Sequence, residues 1–265
     1  MIRWWHSLSA GILGGLIFYK LSNDIYASLV SALMIFGTTA YGFVINNIVD
    51  RFKDSMRGAK NVDLVANKEK LLSAKFLAVL LLLLSVISSL FLQKQGIIIN
   101  TIVLLILTIY SYINNKYGII ANILTCLCVS LIFWISPINN SNLIHVAFLS
   151  SFAFLYMISR EFIVDDYDKE DDLKVQKTSL SIIFGSYAVK RTSLFILTIG
   201  MLVFSVIIFN YQLPYAFFIP VIIGNSLGIW GIIKYFNHKS DSTYKFFYKV
   251  TSLGYLTTLF AIFYL

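Results

Sequence analysis

The stretch from Ile25 to Asp54 reads IYASLVSALMIFGTTAYGFVINNIVDRFKD. Its first 24 residues, Ile25 to Ile48, carry no charge, and a helix needs about 20 mainly apolar residues to cross a bilayer core. The run is continuous and shows no alternation, so it reads as a helix and not as the strand of a barrel. Near its polar end, oxygen-bearing side chains begin: Asn46, Asp50 and Asp54 recur at four-residue steps. Each step of four turns a helix by only about 40°, which puts all three on one face.

Eight further apolar runs flank this one: Ser7 to Tyr19, Phe76 to Leu92, Ile97 to Ile113, Gly118 to Ile135, Leu143 to Ser159, Ser193 to Phe209, Pro214 to Ile233 and Phe246 to Leu265. The first is short and follows Arg3. It reads as a span because no small-residue cleavage site leads into a polar mature start. Of the 265 residues, 58% are hydrophobic and 13% charged, with a mean hydropathy of +0.79. Soluble domains carry about twice that charge. The two cysteines, Cys126 and Cys128, exclude a disulfide scaffold, and 42 aromatic residues exclude disorder. The expected fold is all-α: a multi-span membrane bundle of nine transmembrane helices around a central cavity opening to the cytoplasmic side, forming one domain over residues 1–265.

Short cytoplasmic loops retain Lys and Arg. With the N-terminus inside, nine crossings put 19 basic residues on the cytoplasmic side and leave only Lys20 and Lys94 outside. The net charge of +8 is therefore a topology signal. No nucleic-acid partner is expected.

Eleven of the thirteen acidic residues lie in two stretches on that same side, Asp50 to Glu69 and Glu161 to Asp172. In the second stretch Asp165, Asp168 and Asp172 are spaced i, i+3, i+7, again one helix face. Two carboxylate faces opposed across a bundle repel unless cations lie between them. Hard oxygen ligands suit Mg²⁺, which bridges a few carboxylates to substrate phosphates. The implied ligand is a diphosphate, and Arg51, Lys53, Lys116, Lys174 and Lys177 are candidates to bind its remaining charge.

Three blocks resemble the UbiA family of intramembrane prenyltransferases. AYGFVINNIVDRFKD, Ala40 to Asp54, is similar to the family's first aspartate motif, with Asn46, Asp50 and Asp54 on its first, third and last named positions. YSYINNKYGIIAN, Tyr110 to Asn122, resembles a Tyr-x-Tyr, basic residue, Gly and Asn segment, which Tyr112, Lys116, Gly118 and Asn122 fit. REFIVDDYDKEDDLKVQKTS, Arg160 to Ser179, resembles the Arg-Glu lead-in and second aspartate motif, placing that pair on Asp168 and Asp172. Asn47 stands where the family usually has the first motif's leading aspartate, the Arg-Pro-Leu run after Asp54 is lacking, and Gln176 sits near a usual glycine.

The resemblance implies an Mg²⁺-dependent transfer of a prenyl group from an isoprenyl diphosphate to a lipophilic or aromatic acceptor among the membrane lipids. It makes Asp50, Asp54, Asp168 and Asp172 catalytic, and with Asn46 the metal ligands. It also adds Tyr112 and Asn122 to the diphosphate contacts. A terpene cyclase of the same family, acting without acceptor, is the alternative. A transporter is disfavoured because the spans hold essentially no ionisable residue near their midpoints. His6, His145 and His238 fall at membrane boundaries, Cys126 and Cys128 read as span fillers, and Gly11, Gly14 and Gly15 as a close helix contact.

Overall fold

The structure is a computed structural model that describes residues 4–56, 62–114, 116–136, 143–211 and 215–259. Among these residues all regular structure is helical: α1 (Trp4–Ser22), α2 (Ile25–Met56), α3 (Val62–Ala66), α4 (Lys68–Leu90), α5 (Lys94–Ile113), α6 (Gly118–Leu131), α7 (Leu143–Tyr167), α8 (Lys169–Lys174), α9 (Leu180–Tyr211), α10 (Tyr215–Asn237) and α11 (Asp241–Leu259). Six of them are long and apolar enough to cross a membrane. Within the described residues, each of the nine apolar runs read from the sequence lies mainly on one helix, α4 ending at Leu90 and α6 at Leu131 short of the runs' ends. The three that miss the measure of a span do so for visible reasons: α1 has only a short apolar middle, α6 tightens after Leu131 into the 3₁₀ turn Ile132–Trp134, and α11 carries Asp241, Lys245 and Lys249.

Length decides where the acids sit. The 32 residues of α2 extend about 48 Å at 1.5 Å per residue, against a hydrocarbon core of about 30 Å. The helix therefore continues past the apolar region, and Asp50 and Asp54 ride on the extension. The 25-residue α7 likewise runs on through Glu161, Asp165 and Asp166.

These two helices hold similar places in the bundle, α2 packed on α1 and α4, α7 on α6 and α9. The α1–α2 crossing is close because a Cβ on Gly11 would come within 2.7 Å of the Ala32 carbonyl oxygen. The expected glycine contact is thus present. A second core, built around Phe133, Leu149, Tyr156 and Phe247, binds α7 to α10 and α11.

A polar knot fixes α2 against α4 and α5. Thr38 Oγ1 donates to Asn100 Oδ1 at 2.7 Å, and Asn100 Nδ2 donates to Ser85 Oγ at 2.9 Å. All three side chains are buried. No water competes for such groups inside an apolar bundle, so each depends on the others. Replacing Asn100 with Leu should cost about 1 kcal/mol by removing the amide that links α5 to Thr38 and Ser85, whose hydroxyls keep each other and the Met34 carbonyl. Thermal unfolding in detergent checks this, and an unchanged melting temperature would show that the knot contributes nothing.

Candidate functional site

The acid-bearing end of α7 divides its carboxylates by direction, because neighbours on a helix point about 100° apart. Asp165 turns toward α6, where Asn122 Nδ2 donates to its Oδ2 at 2.7 Å. Asp166 turns the other way. Its buried Oδ2 takes Lys239 Nζ at 2.6 Å and the Tyr235 hydroxyl at 3.2 Å. Asp166 thereby ties α7 to the α10–α11 connection, a structural role that its place in an acidic run did not reveal.

Beyond α7 the chain bends at Asp168 and enters α8, which buries Asp172 to 1% exposure. Gln176 then takes a left-handed conformation, φ 55°. That turn sends Lys177 back, so that its Nζ lies 3.3 Å from Asp172 Oδ2 and 3.5 Å from Asp165 Oδ1. The next residue clips onto the start of α6: Gly118 N donates to the Thr178 carbonyl at 2.7 Å, and Thr178 N to the Lys116 carbonyl at 3.0 Å. Left-handed backbone costs an L-residue about 1–2 kcal/mol and glycine far less. Gln176→Gly should therefore raise stability by about 0.5–1 kcal/mol, net of the entropy glycine adds to the unfolded chain. A lower melting temperature would instead assign the Gln176 side chain a packing role.

Opposite, α2 presents Asn46 and Asp50 from one face. Asn114 Nδ2 stands 3.4 Å from Asp50 Oδ2, and Asn46 Oδ1 is buried without a hydrogen-bond partner. Tyr110 of α5 faces this end of the bundle as well, its hydroxyl lying in the field of Glu161, Asp50 and Asp165. The tertiary structure thus gathers Asn46, Asp50, Tyr110, Asn122, Asp165, Asp172 and Lys177 at one end of the bundle.

Several expected residues lie elsewhere. Tyr112 is two residues from Tyr110, which is 200° of helix, and with Arg51 it lines a groove on the far side of α2. Lys174 pairs with Asp171 at the surface, 2.6 Å apart, because both sit on the outer side of α8. The Lys116 ammonium lies 5.3 Å from the Tyr117 ring centre, and only its backbone carbonyl joins the site. Asp168 is half-buried toward Tyr235 and Tyr244. The side chains of Lys53, Asp54 and His145 lie outside the described residues. Cys126 and Cys128 are buried free thiols.

Tyr110 belongs to the gathered set and Asn114 stands beside it at Asp50, yet neither was picked out as a site residue by sequence, while Asp165 was placed on the second carboxylate face but not among the metal ligands. One signal for two of them was present, since Tyr110 and Asn114 are spaced i, i+4 and share a face.

Every donor in the set is a hard oxygen or an amide, and Lys177 is the cation between Asp165 and Asp172. Asp50, Asp165 and Asp172 outweigh it in formal charge. The arrangement fits a small hard divalent cation, with the open Asn46 oxygen as a ready acceptor. Among the described residues, no three carboxylate, His or Cys groups already stand close enough to enclose a metal ion.

The model of the UbiA prenyltransferase family matches residues 7–253. No curated protein matches the chain. Among solved structures, a digeranylgeranylglyceryl phosphate synthase is 23% identical over 99% of this chain and 96% of its own, with a TM-score of 0.74. A UbiA homologue from Aeropyrum pernix K1 is 14% identical over 100% and 96%, at a TM-score of 0.71. One from Archaeoglobus fulgidus, bound to DMAPP and Mg²⁺, is 15% identical over 98% and 96%, at 0.66. At these identities the structural likeness speaks for the fold.

Proposed function

Since the chain belongs to the UbiA prenyltransferase family and is an integral membrane protein, we propose that it moves a prenyl group from an isoprenyl diphosphate to a lipophilic or aromatic acceptor within the bilayer. The observation that carries this reading is that acidic side chains of both stretches lie at one end of the bundle, Asp50 on the extension of α2, Asp165 at the end of α7 and Asp172 in α8, with Lys177 held between the last two. Buried carboxylates collected at one end of an apolar bundle support a cation-dependent site for a polyanion. Homologues solved with DMAPP or GPP and Mg²⁺ bind that kind of ligand.

In this reading Asn46, Asp50 and Asp54 from α2, with Asp168 and Asp172 from the second motif, would hold Mg²⁺. When bound, the metal supplies electrostatic stabilisation to a departing diphosphate. Lys177 and the Tyr110 hydroxyl lie where they can bind phosphate oxygens. Asn122 fixes Asp165, and the Thr178 clip fixes the backbone that carries Lys177. The apolar interior excludes water from the allylic cation left by ionisation. All nine long helices cross the membrane, with the N-terminus and the carboxylate end cytoplasmic, which is the side the basic residues favour.

The direct test incubates the purified chain with geranylgeranyl diphosphate and Mg²⁺, with and without a membrane lipid extract. Release of diphosphate that requires both Mg²⁺ and the extract, with a prenylated lipid found by mass spectrometry, is the expected result. A cyclic hydrocarbon formed without any acceptor would overturn the transfer reading in favour of a cyclase.

A further inference from the structure

On the other side of α2 the bundle has a second feature. Tyr41 and Ile48 lie about 180° and 160° around the helix from Asp50 at 100° per residue. There α2, α4 and α5 leave a groove of about 500 Å³. Its floor is the buried Tyr41, Ile48 and Ala78. Tyr41 is already satisfied by Thr108, 3.0 Å away, so the floor presents apolar surface. Arg51, Lys75 and Tyr112 line the same groove, and among the described residues no carboxylate does. Arg51 folds back along its own helix, with NH1 donating to the Ile48 carbonyl at 2.6 Å, which holds the guanidinium beside the groove.

We propose that this groove binds an anionic phospholipid of the surrounding bilayer, one acyl chain lying on the floor and the headgroup phosphate held by Arg51 and Lys75. The apolar length calls for a hydrocarbon chain. The paired cations call for a net negative headgroup, since a zwitterionic one would bring its own ammonium against them. Guanidinium offers a planar, two-pronged match to phosphate, and basic pockets between helices at the cytoplasmic surface bind anionic headgroups. Tyr112 supplies a hydroxyl at the same level. The site is separate from the carboxylates, because α2 lies between them.

Native mass spectrometry of the full chain in neutral detergent tests this, using phosphatidylglycerol and phosphatidylcholine of identical acyl chains. Phosphatidylglycerol should bind about tenfold more tightly than phosphatidylcholine. The Arg51→Gln/Lys75→Gln double variant should weaken phosphatidylglycerol about thirtyfold and lose the preference, two basic residues' worth of attraction. Arg51→Lys/Lys75→Arg, which keeps both charges and controls for folding, should retain it. Equal binding of the two lipids by the native chain overturns the proposal, as does a preference that survives the double glutamine change. Displacement of phosphatidylglycerol by geranylgeranyl diphosphate without Mg²⁺ overturns it too, and would make the groove a port for the prenyl donor.

Discussion

Asp172→Ala is expected to slow Mg²⁺-dependent release of diphosphate by about 10³-fold, the scale on which losing one preorganised electrostatic contact slows a reaction. Asp172 is buried to 1% exposure and stands 3.3 Å from Lys177. Buried so deeply, it would present its charge with little screening by water. Its loss removes a buried carboxylate from beside Lys177, which keeps Asp165. The chain should still fold, because α8 is a six-residue helix and the Thr178 clip to Gly118 and Lys116 does not use the Asp172 side chain. A stopped assay for released diphosphate, alongside a melting curve, separates lost chemistry from lost structure. An Asp172→Ala protein that keeps the native rate would refute the assignment of this site.

Lys177→Met should lower stability by about 3 kcal/mol when divalent cations are chelated, and Mg²⁺ should recover much of that loss. Breaking a buried ion pair by removing one partner typically costs about 3–5 kcal/mol, because the remaining charge is left uncompensated. Here two carboxylates share the one ammonium, whose side chain is 11% exposed. A divalent cation answers the same negative charge, and anything that binds only the folded chain stabilises it by mass action. The measurement is the melting temperature of native and variant protein in EDTA and in millimolar Mg²⁺. Equal melting temperatures of the two in EDTA would show that Lys177 is not the resident counter-ion. The native chain should respond less to Mg²⁺, since it carries its own cation.

The linear chain makes much of this molecule legible. Apolar runs such as Ile25 to Ile48 are long enough to require helices, and within the described residues each lies mainly on one. The spacing of Asn46 and Asp50 placed them together on one face of α2, and they are found so. Resemblance in three short blocks led to the family that matches residues 7–253. What the residues could not show is which way each helix face looks. Tyr110 and Tyr112 are equally plausible in sequence, yet Tyr110 lies among the carboxylates and Tyr112 in a groove behind α2. Arg51 follows Asp50 directly and is turned away with that groove.

The loops carry the rest of the difference. Lys174 and Lys177 differ by three positions, and no helical rule distinguishes their targets. The left-handed turn at Gln176 and the clip between Thr178 and Gly118 decide it, bringing Lys177 inward while Lys174 stays at the surface with Asp171. Asp165 and Asp166 are neighbours of identical chemistry, but one meets Asn122 and Lys177 and the other Lys239 and Tyr235.

The sequence by itself determined the helices, the family and which few residues are acidic, because bilayer burial and helical periodicity are local properties of the chain. Only the tertiary structure decided which of those residues share a site. That depends on how each helix is rotated against its neighbours and where a connecting turn directs the chain, and both are set by contacts between residues far apart in sequence.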